Sequence, residues 1–126
     1  MPRHPSLFIA VDTTDINAIA AMCTLAHSRS IGLKIGMEAF YGIDVEVLRD
    51  LTRDIPIFLD LKLHDIPNTV DKGIISLLGR MTVQILTVHA SGGMAMLKRA
   101  AQYQNTKPVF DVAGVTILTS MSSDDL

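Results

Sequence analysis

Four times along this chain a short apolar run gives way to a stretch of helical periodicity, and a fifth apolar run follows. That alternation restricts the possible folds more than any other feature of the sequence. The runs are Leu7–Val11, Ile31–Ile35, Ile55–Leu59, Val83–Val88 and a fifth within Pro108–Leu118. Between them, Ile16, Ile19, Ala20, Cys23 and Ala26 recur at helical spacing. So do Val47, Leu48 and Leu51, then Val70, Ile74, Leu77, Leu78 and Met81, then Met94 to about Tyr103. Met37–Tyr41 reads as a brief helical turn that Gly42 breaks. A βαβαβαβαβ order forces a parallel sheet with right-handed crossovers. The third run, with Ile55, Ile57, Phe58 and Leu59, reads as a strand buried on both faces, the kind found in parallel sheets.

Each unit occupies about 25–30 residues, the spacing of a barrel repeat, and a closed eight-stranded barrel needs at least about 200 residues. Only five strands fit within 126. Two architectures remain: an open five-stranded sheet, or the first part of a (β/α)8 TIM barrel. The second would be a single incomplete barrel domain over residues 1–126, with about five parallel strands and four helices. A stop at Leu126, where the loop after strand 5 begins, favours the truncated barrel.

Composition removes several function classes. The net charge is −2 and no Lys/Arg run exists, so nothing suggests nucleic acid as a partner. Cys23 is the one cysteine, which excludes an internal disulfide and a multi-cysteine metal site. It lies on the apolar stripe of the first helix and is expected in the core. No run approaches the roughly 20 apolar residues of a membrane helix, and the opening residues do not form a signal peptide. A reducing cytoplasm is the expected compartment.

The chemistry concentrates at the end of the third run, in Asp60-Leu61-Lys62-Leu63-His64-Asp65-Ile66-Pro67-Asn68-Thr69. Strand side chains alternate faces, so Asp60 and Lys62 share one, with Cα atoms roughly 6–7 Å apart. A carboxylate and an ammonium on a buried face are costly unless they pair or work. An ion pair tying off the strand is the bland alternative. In α/β folds, however, ligands bind at the carboxyl ends of strands, where this cluster sits.

The pattern Asp-x-Lys-x-x-Asp followed by Ile-Pro-x-Thr resembles the signature of orotidine 5′-phosphate decarboxylases. Other pieces fall in the same order: Val11-Asp12 ending strand 1, Lys34-Ile35-Gly36-Met37-Glu38 on strand 2, Val88-His89-Ala90-Ser91-Gly92-Gly93 after strand 4, and Val115-Thr116-Ile117-Leu118-Thr119-Ser120-Met121 after strand 5. The resemblance runs from about Phe8 to Leu126. Asp-x-Lys-x-x-Asp alone is shared with related sugar-phosphate enzymes; Ile-Pro-Asn-Thr and His-Ala-Ser-Gly-Gly make the likeness specific.

The resemblance implies a TIM barrel that decarboxylates orotidine 5′-phosphate to UMP in pyrimidine synthesis, with no metal or organic cofactor. It implies that Lys62, Asp60 and Asp65 are catalytic. Asp12 and Lys34 would contact the ribose and hydroxyls, and Ile66 and Thr119 the substrate, with Ser120 and Ser122 near the pyrimidine. Asp65 and Thr69 would reach the neighbouring site of a homodimer. The family's phosphate grip comes after strands 7 and 8, so a chain of this length is expected to be nearly inactive alone. Two other readings stay open: a related sugar-phosphate decarboxylase or synthase of the same barrel group, and a non-catalytic fragment that only associates. His64, His89 and Ser91-Gly92-Gly93 are expected to shape loops, and Met94 and Met96 to pack.

Overall fold

The computed structural model describes residues 3–105 and 109–126. Its elements are β1 (Phe8–Val11), α1 (Ile16–Arg29), β2 (Gly32–Gly36), α2 (Met37–Gly42), α3 (Val45–Leu51), β3 (Ile57–Leu63), α4 (Pro67–Arg80), β4 (Ile85–His89), α5 (Met94–Ala101) and β5 (Asp111–Val115). Three 3-10 turns add Ala90–Gly92, Gln102–Asn105 and Ser123–Asp125. The five strands form one sheet in chain order, β1-β2-β3-β4-β5, and every neighbouring pair is parallel.

Local chemistry explains the boundaries. Asp15 caps α1 by accepting from the Asn17 and Ala18 amides, and Ser30 ends it in a left-handed conformation. Asp44 caps α3 through the Glu46 amide. Pro67 opens α4 at a position where no amide is needed and its fixed φ suits the helix. Gly93, at φ 93°, turns the chain into α5 through a region that penalises side chains.

The core lies between the helices and one face of the sheet. Val11, Leu33, Ile35, Ile57, Leu59, Leu61, Leu86 and Val88 are buried together with Ile19, Cys23, Ala26, Leu48, Val70, Ile74 and Met96. Burial alternates along β3: Ile57, Leu59 and Leu61 are buried, whereas Phe58, Asp60 and Lys62 are half-buried. The expectation that β3 is buried on both faces is therefore corrected, whereas Leu86, Thr87 and Val88 of β4 are all buried. The second face is inward-turned and only partly covered, because the sheet remains open, with β1 and β5 as its outer strands. On that face the Phe8 and Phe58 rings meet edge-on at 5.6 Å, across the intervening strand. Gly32 permits this contact: a Cβ there would strike the Phe8 ring and lie 2.8 Å from the Pro56 carbonyl oxygen.

Other expectations shift at their edges. Met37–Gly42 is a helix of six residues, so there are five α-helices among the described residues rather than four. β4 begins at Ile85, two residues after Val83. β5, at Asp111–Val115, falls within the anticipated Pro108–Leu118, of which Pro108 lies outside the described residues. Cys23 is in the core, as the apolar stripe requires. Met96 is fully buried, whereas Met94 is exposed.

Two polar ties fasten the layers. Near the start of the chain, His4 Nε2 bonds Asp111 Oδ2 at 2.6 Å and Arg3 lies 3.4 Å from the same carboxylate, linking the N-terminal segment to β5. Between α4 and α5, Asp71 accepts from Tyr103, from Arg99 at 2.6 Å and from Gln102 at 3.0 Å. The Tyr103 hydroxyl has the largest effect on the Asp71 carboxyl, and together with the Arg99 guanidinium and the Gln102 amide it outweighs burial and holds that carboxyl below its ordinary range. A carboxylate with a depressed native pKa stabilises fully above its unfolded value, about 3.9, and loses that contribution as pH falls through the native value. Urea unfolding of the protein and of Asp71→Asn should therefore differ most near pH 7, and the gap should close progressively below about pH 4.

Candidate active site

Three of the side chains singled out by the sequence, Lys34, Asp60 and Lys62, assemble toward the carboxyl ends of β2 and β3. Register places Gly36 opposite Asp60 and Lys34 opposite Phe58, so Lys34 and Asp60 face the same partly covered side of the sheet. Lys62 Nζ donates to both Asp60 oxygens, at 2.9 and 3.0 Å. Lys34 Nζ lies 3.6 Å from Asp60 Oδ2. One carboxylate, 13% exposed, thus serves two ammonium groups that are each about one-third exposed.

Burial alone would raise the Asp60 pKa. Hydrogen bonds from Lys62 and Thr87 and the charges of Lys62 and Lys34 outweigh it, and the carboxyl titrates below the usual range. Asp60 is therefore ionised at neutral pH, and it keeps the Lys62 ammonium oriented.

The local backbone is irregular here. Lys62 adopts φ 50°, a left-handed conformation that costs an ordinary side chain roughly 1–2 kcal/mol. Between Leu59 and Leu63, β3 takes four steps while β4 takes two, from Leu86 to Val88. This bulge re-aims the end of the strand, a common device beside functional sites. The alternation rule thus put Asp60 and Lys62 on one side correctly, although the path between them is not a regular strand.

Thr87 was not singled out from the sequence. It is one of two buried polar residues among those described, the other being Thr52. Its Oγ1 donates to Asp60 Oδ1 at 2.8 Å and accepts from the Lys62 amide at 2.9 Å. The available signal was a hydroxyl inside the apolar run Ile85-Leu86-Thr87-Val88, since buried polar groups require partners.

Among the described residues, the remaining ones make no hydrogen bond or ion pair with this cluster. Asp12, exposed just past β1, has Oδ1 3.9 Å from where a Cβ would stand on Gly36. Asp65 is exposed and accepts from the Ile66 amide at 2.7 Å; among the described residues no ion pair joins it to Lys62. Lys62 is thus paired with Asp60 and not flanked by two acids within this chain. Ile66 is 65% exposed and Thr69 is exposed on the first turn of α4. Lys62, Asp65 and Thr69 border one cavity of about 340 Å³, with Tyr41, Leu63 and His64. Thr119 and Ser120 are exposed beyond β5, and the Ser122 hydroxyl is engaged in a local cap with Asp124 and Asp125. The His64 and His89 rings lie 5.1 Å apart, joining the loops after β3 and β4. A cleft of about 470 Å³ bordered by Arg49, Arg53 and Gln84 contains none of these residues; it borders the entry to β3, at the end of the sheet opposite Asp60 and Lys62.

Comparison with known proteins identifies the family. Residues 5–126 match the model of the orotidine 5′-phosphate decarboxylase / HUMPS family. The chain is 43% identical over 123 residues to an orotidine 5′-phosphate decarboxylase of Ehrlichia chaffeensis, covering 95% of this chain and 52% of that protein. It is 42% identical over 123 residues to one of Erythrobacter litoralis, covering 95% and 53%. Among solved structures, the orotidine 5′-phosphate decarboxylase of Lactobacillus acidophilus superposes with a TM-score of 0.83 at 35% identity, over 95% of this chain and 56% of that one. The chain spans about half the length of the curated relatives it matches. The parallel β/α order, the Asp60–Lys62 strand end and the family match over nearly every residue lead to one assignment: the chain belongs to the orotidine 5′-phosphate decarboxylase / HUMPS family.

Proposed function

We propose that the chain carries the catalytic half of an orotidine 5′-phosphate decarboxylase, converting orotidine 5′-phosphate to UMP and carbon dioxide in the cytoplasm without a metal or organic cofactor. The observation that carries this reading is the cluster of Lys34, Asp60 and Lys62 at adjacent strand ends. In the reaction the bond from C6 to the carboxylate breaks and its electron pair stays on C6. Carbon dioxide departs, and a proton from Lys62 Nζ takes its place; solvent then reprotonates the amine.

No carbonyl adjoins C6 to accept those electrons, so stabilisation must come from placed charge. An ammonium about 4 Å from the developing charge, at an effective dielectric of about 20, supplies at most about 4 kcal/mol. That is roughly a thousandfold in rate. Positioning of the substrate and exclusion of water supply the remainder. In this reading Asp60 orients Lys62 and stands against the departing carboxylate. Asp12 and Lys34 take the ribose hydroxyls, and Ile66 and Thr119 contact the substrate. The exposed positions of Asp65 and Thr69 are compatible with their reaching the neighbouring site of a homodimer.

The direct test is UMP formation from orotidine 5′-phosphate by the protein, expressed with whatever coding sequence continues past Leu126. Hexulose and ketogulonate phosphates, with and without Mg²⁺, are assayed beside it. Metal-dependent turnover of a sugar phosphate and none of the nucleotide would overturn the reading. Lys62→Ala should abolish decarboxylation, a loss of at least about a thousandfold, while UMP still binds. Retained turnover in that variant would remove Lys62 from its role.

A polypeptide of residues 1–126 alone should be marginally stable and nearly inactive. The outer edges of β1 and β5 are unpaired within the described sheet, and its second face is only partly covered. A thermal melt and a turnover assay check this; a cooperative transition with the activity of an intact decarboxylase would contradict it.

A further inference from the structure

The Thr87 side chain, 3% exposed on β4, is committed at both its proton and its lone pairs. The proton goes to Asp60 Oδ1 at 2.8 Å, and a lone pair receives the Lys62 amide at 2.9 Å. A hydroxyl has one proton to give, so the direction of each bond is fixed. The Lys62 amide belongs to the stretch where β3 and β4 lose register, and its partner is this side chain rather than a strand carbonyl. One group therefore grips both members of the ion pair: the carboxylate of Asp60 and the main chain of Lys62.

We propose that Thr87 is a positioning residue, whose hydroxyl fixes the left-handed turn at Lys62 and the rotation of the Asp60 carboxylate so that the ammonium is presented in a single geometry. The proposal rests on the decarboxylase reading for its catalytic consequence. Its structural content, that Asp60 and Lys62 are held through Thr87, can be measured separately. Without the hydroxyl, Asp60 keeps its two lysines but loses the donor that sets the plane of its carboxylate. The Lys62 amide is then left in a partly buried position without its acceptor, which loosens the bulge. Lys62 would keep its charge and lose its aim.

Thr87→Val retains the β-branched shape suited to a strand and removes only the hydroxyl; Thr87→Ser restores the hydroxyl in a smaller side chain. In the protein expressed with any continuation past Leu126, Thr87→Val should lower kcat by about 10- to 100-fold, the scale of a small misplacement of a catalytic group. KM should stay within about threefold, because the substrate's own contacts remain. Thr87→Ser should recover most of kcat. The second measurement needs no turnover: the carboxyl titration of Asp60, followed by carbon NMR, should move to higher pH in Thr87→Val and not in Thr87→Ser. Wild-type kcat with an unmoved midpoint in Thr87→Val would overturn the proposal. So would a Thr87→Ser variant as impaired as Thr87→Val, since packing and not the hydroxyl would then matter. If the unmodified protein turns over no orotidine 5′-phosphate, the decarboxylase reading fails by itself. The Asp60 midpoint then decides the role of Thr87: a rise confined to Thr87→Val supports it and no rise ends it.

Discussion

One mostly buried carboxylate organises the upper end of this sheet. Asp60 lies within ion-pair distance of Lys62 and Lys34 and accepts a hydroxyl proton from Thr87. Removing a carboxylate from water costs several kcal/mol, and only good geometry with every lone pair engaged offsets that cost. Three strands offset it for Asp60: Lys62 from its own strand and Thr87 from β4 by hydrogen bonds, and Lys34 from β2 by its charge at 3.6 Å. The parallel register brings these three together, and the helix-covered core beneath holds the register. The site is therefore a property of the whole sheet and not of one motif.

Much of the fold could be read from the residues, because its signals are local. Apolar runs separated by helical periodicity announced five strands and their order, and parallel pairing followed from the crossovers. Caps such as Asp15 and Asp44 and the Pro67 start of α4 obey short-range rules that a sequence displays directly. Burial was read less well. A run such as Ile57-Phe58-Leu59 looks uniformly apolar, yet Phe58 turns to the partly covered side and is only half-buried. Apolar character does not distinguish a packed face from one open to a cavity. The bounds of β5 were not legible within Pro108–Leu118: Thr116-Ile117-Leu118 has strand propensity but lies past the last β4 partner, His89, which pairs with Val115.

The candidate site was legible in part. Strand alternation placed Asp60 and Lys62 on one side, and the charge cluster fell at the strand ends as the fold class requires. Thr87 escaped because its importance is relational: it lies 27 residues from Asp60 and 25 from Lys62, and only the β3–β4 register joins them. The φ of Lys62 escaped too, since lysine shows no composition cue for a left-handed turn of the kind glycine gives. Asp65 differs from the simplest picture of acids on both sides of Lys62, because the loop after β3 carries its carboxylate to solvent, onto the Ile66 amide.

The contact of His4 with Asp111 spans 107 positions of the chain. Bringing such distant residues together exacts chain entropy that only late contacts can repay, and folds dominated by distant contacts form slowly. Arg3 and His4 therefore cannot make this tie until β5 has emerged and joined β4. During synthesis the ribosome releases the first strand long before its tether exists, so the N-terminal strap is a closing step of assembly rather than a nucleus for it.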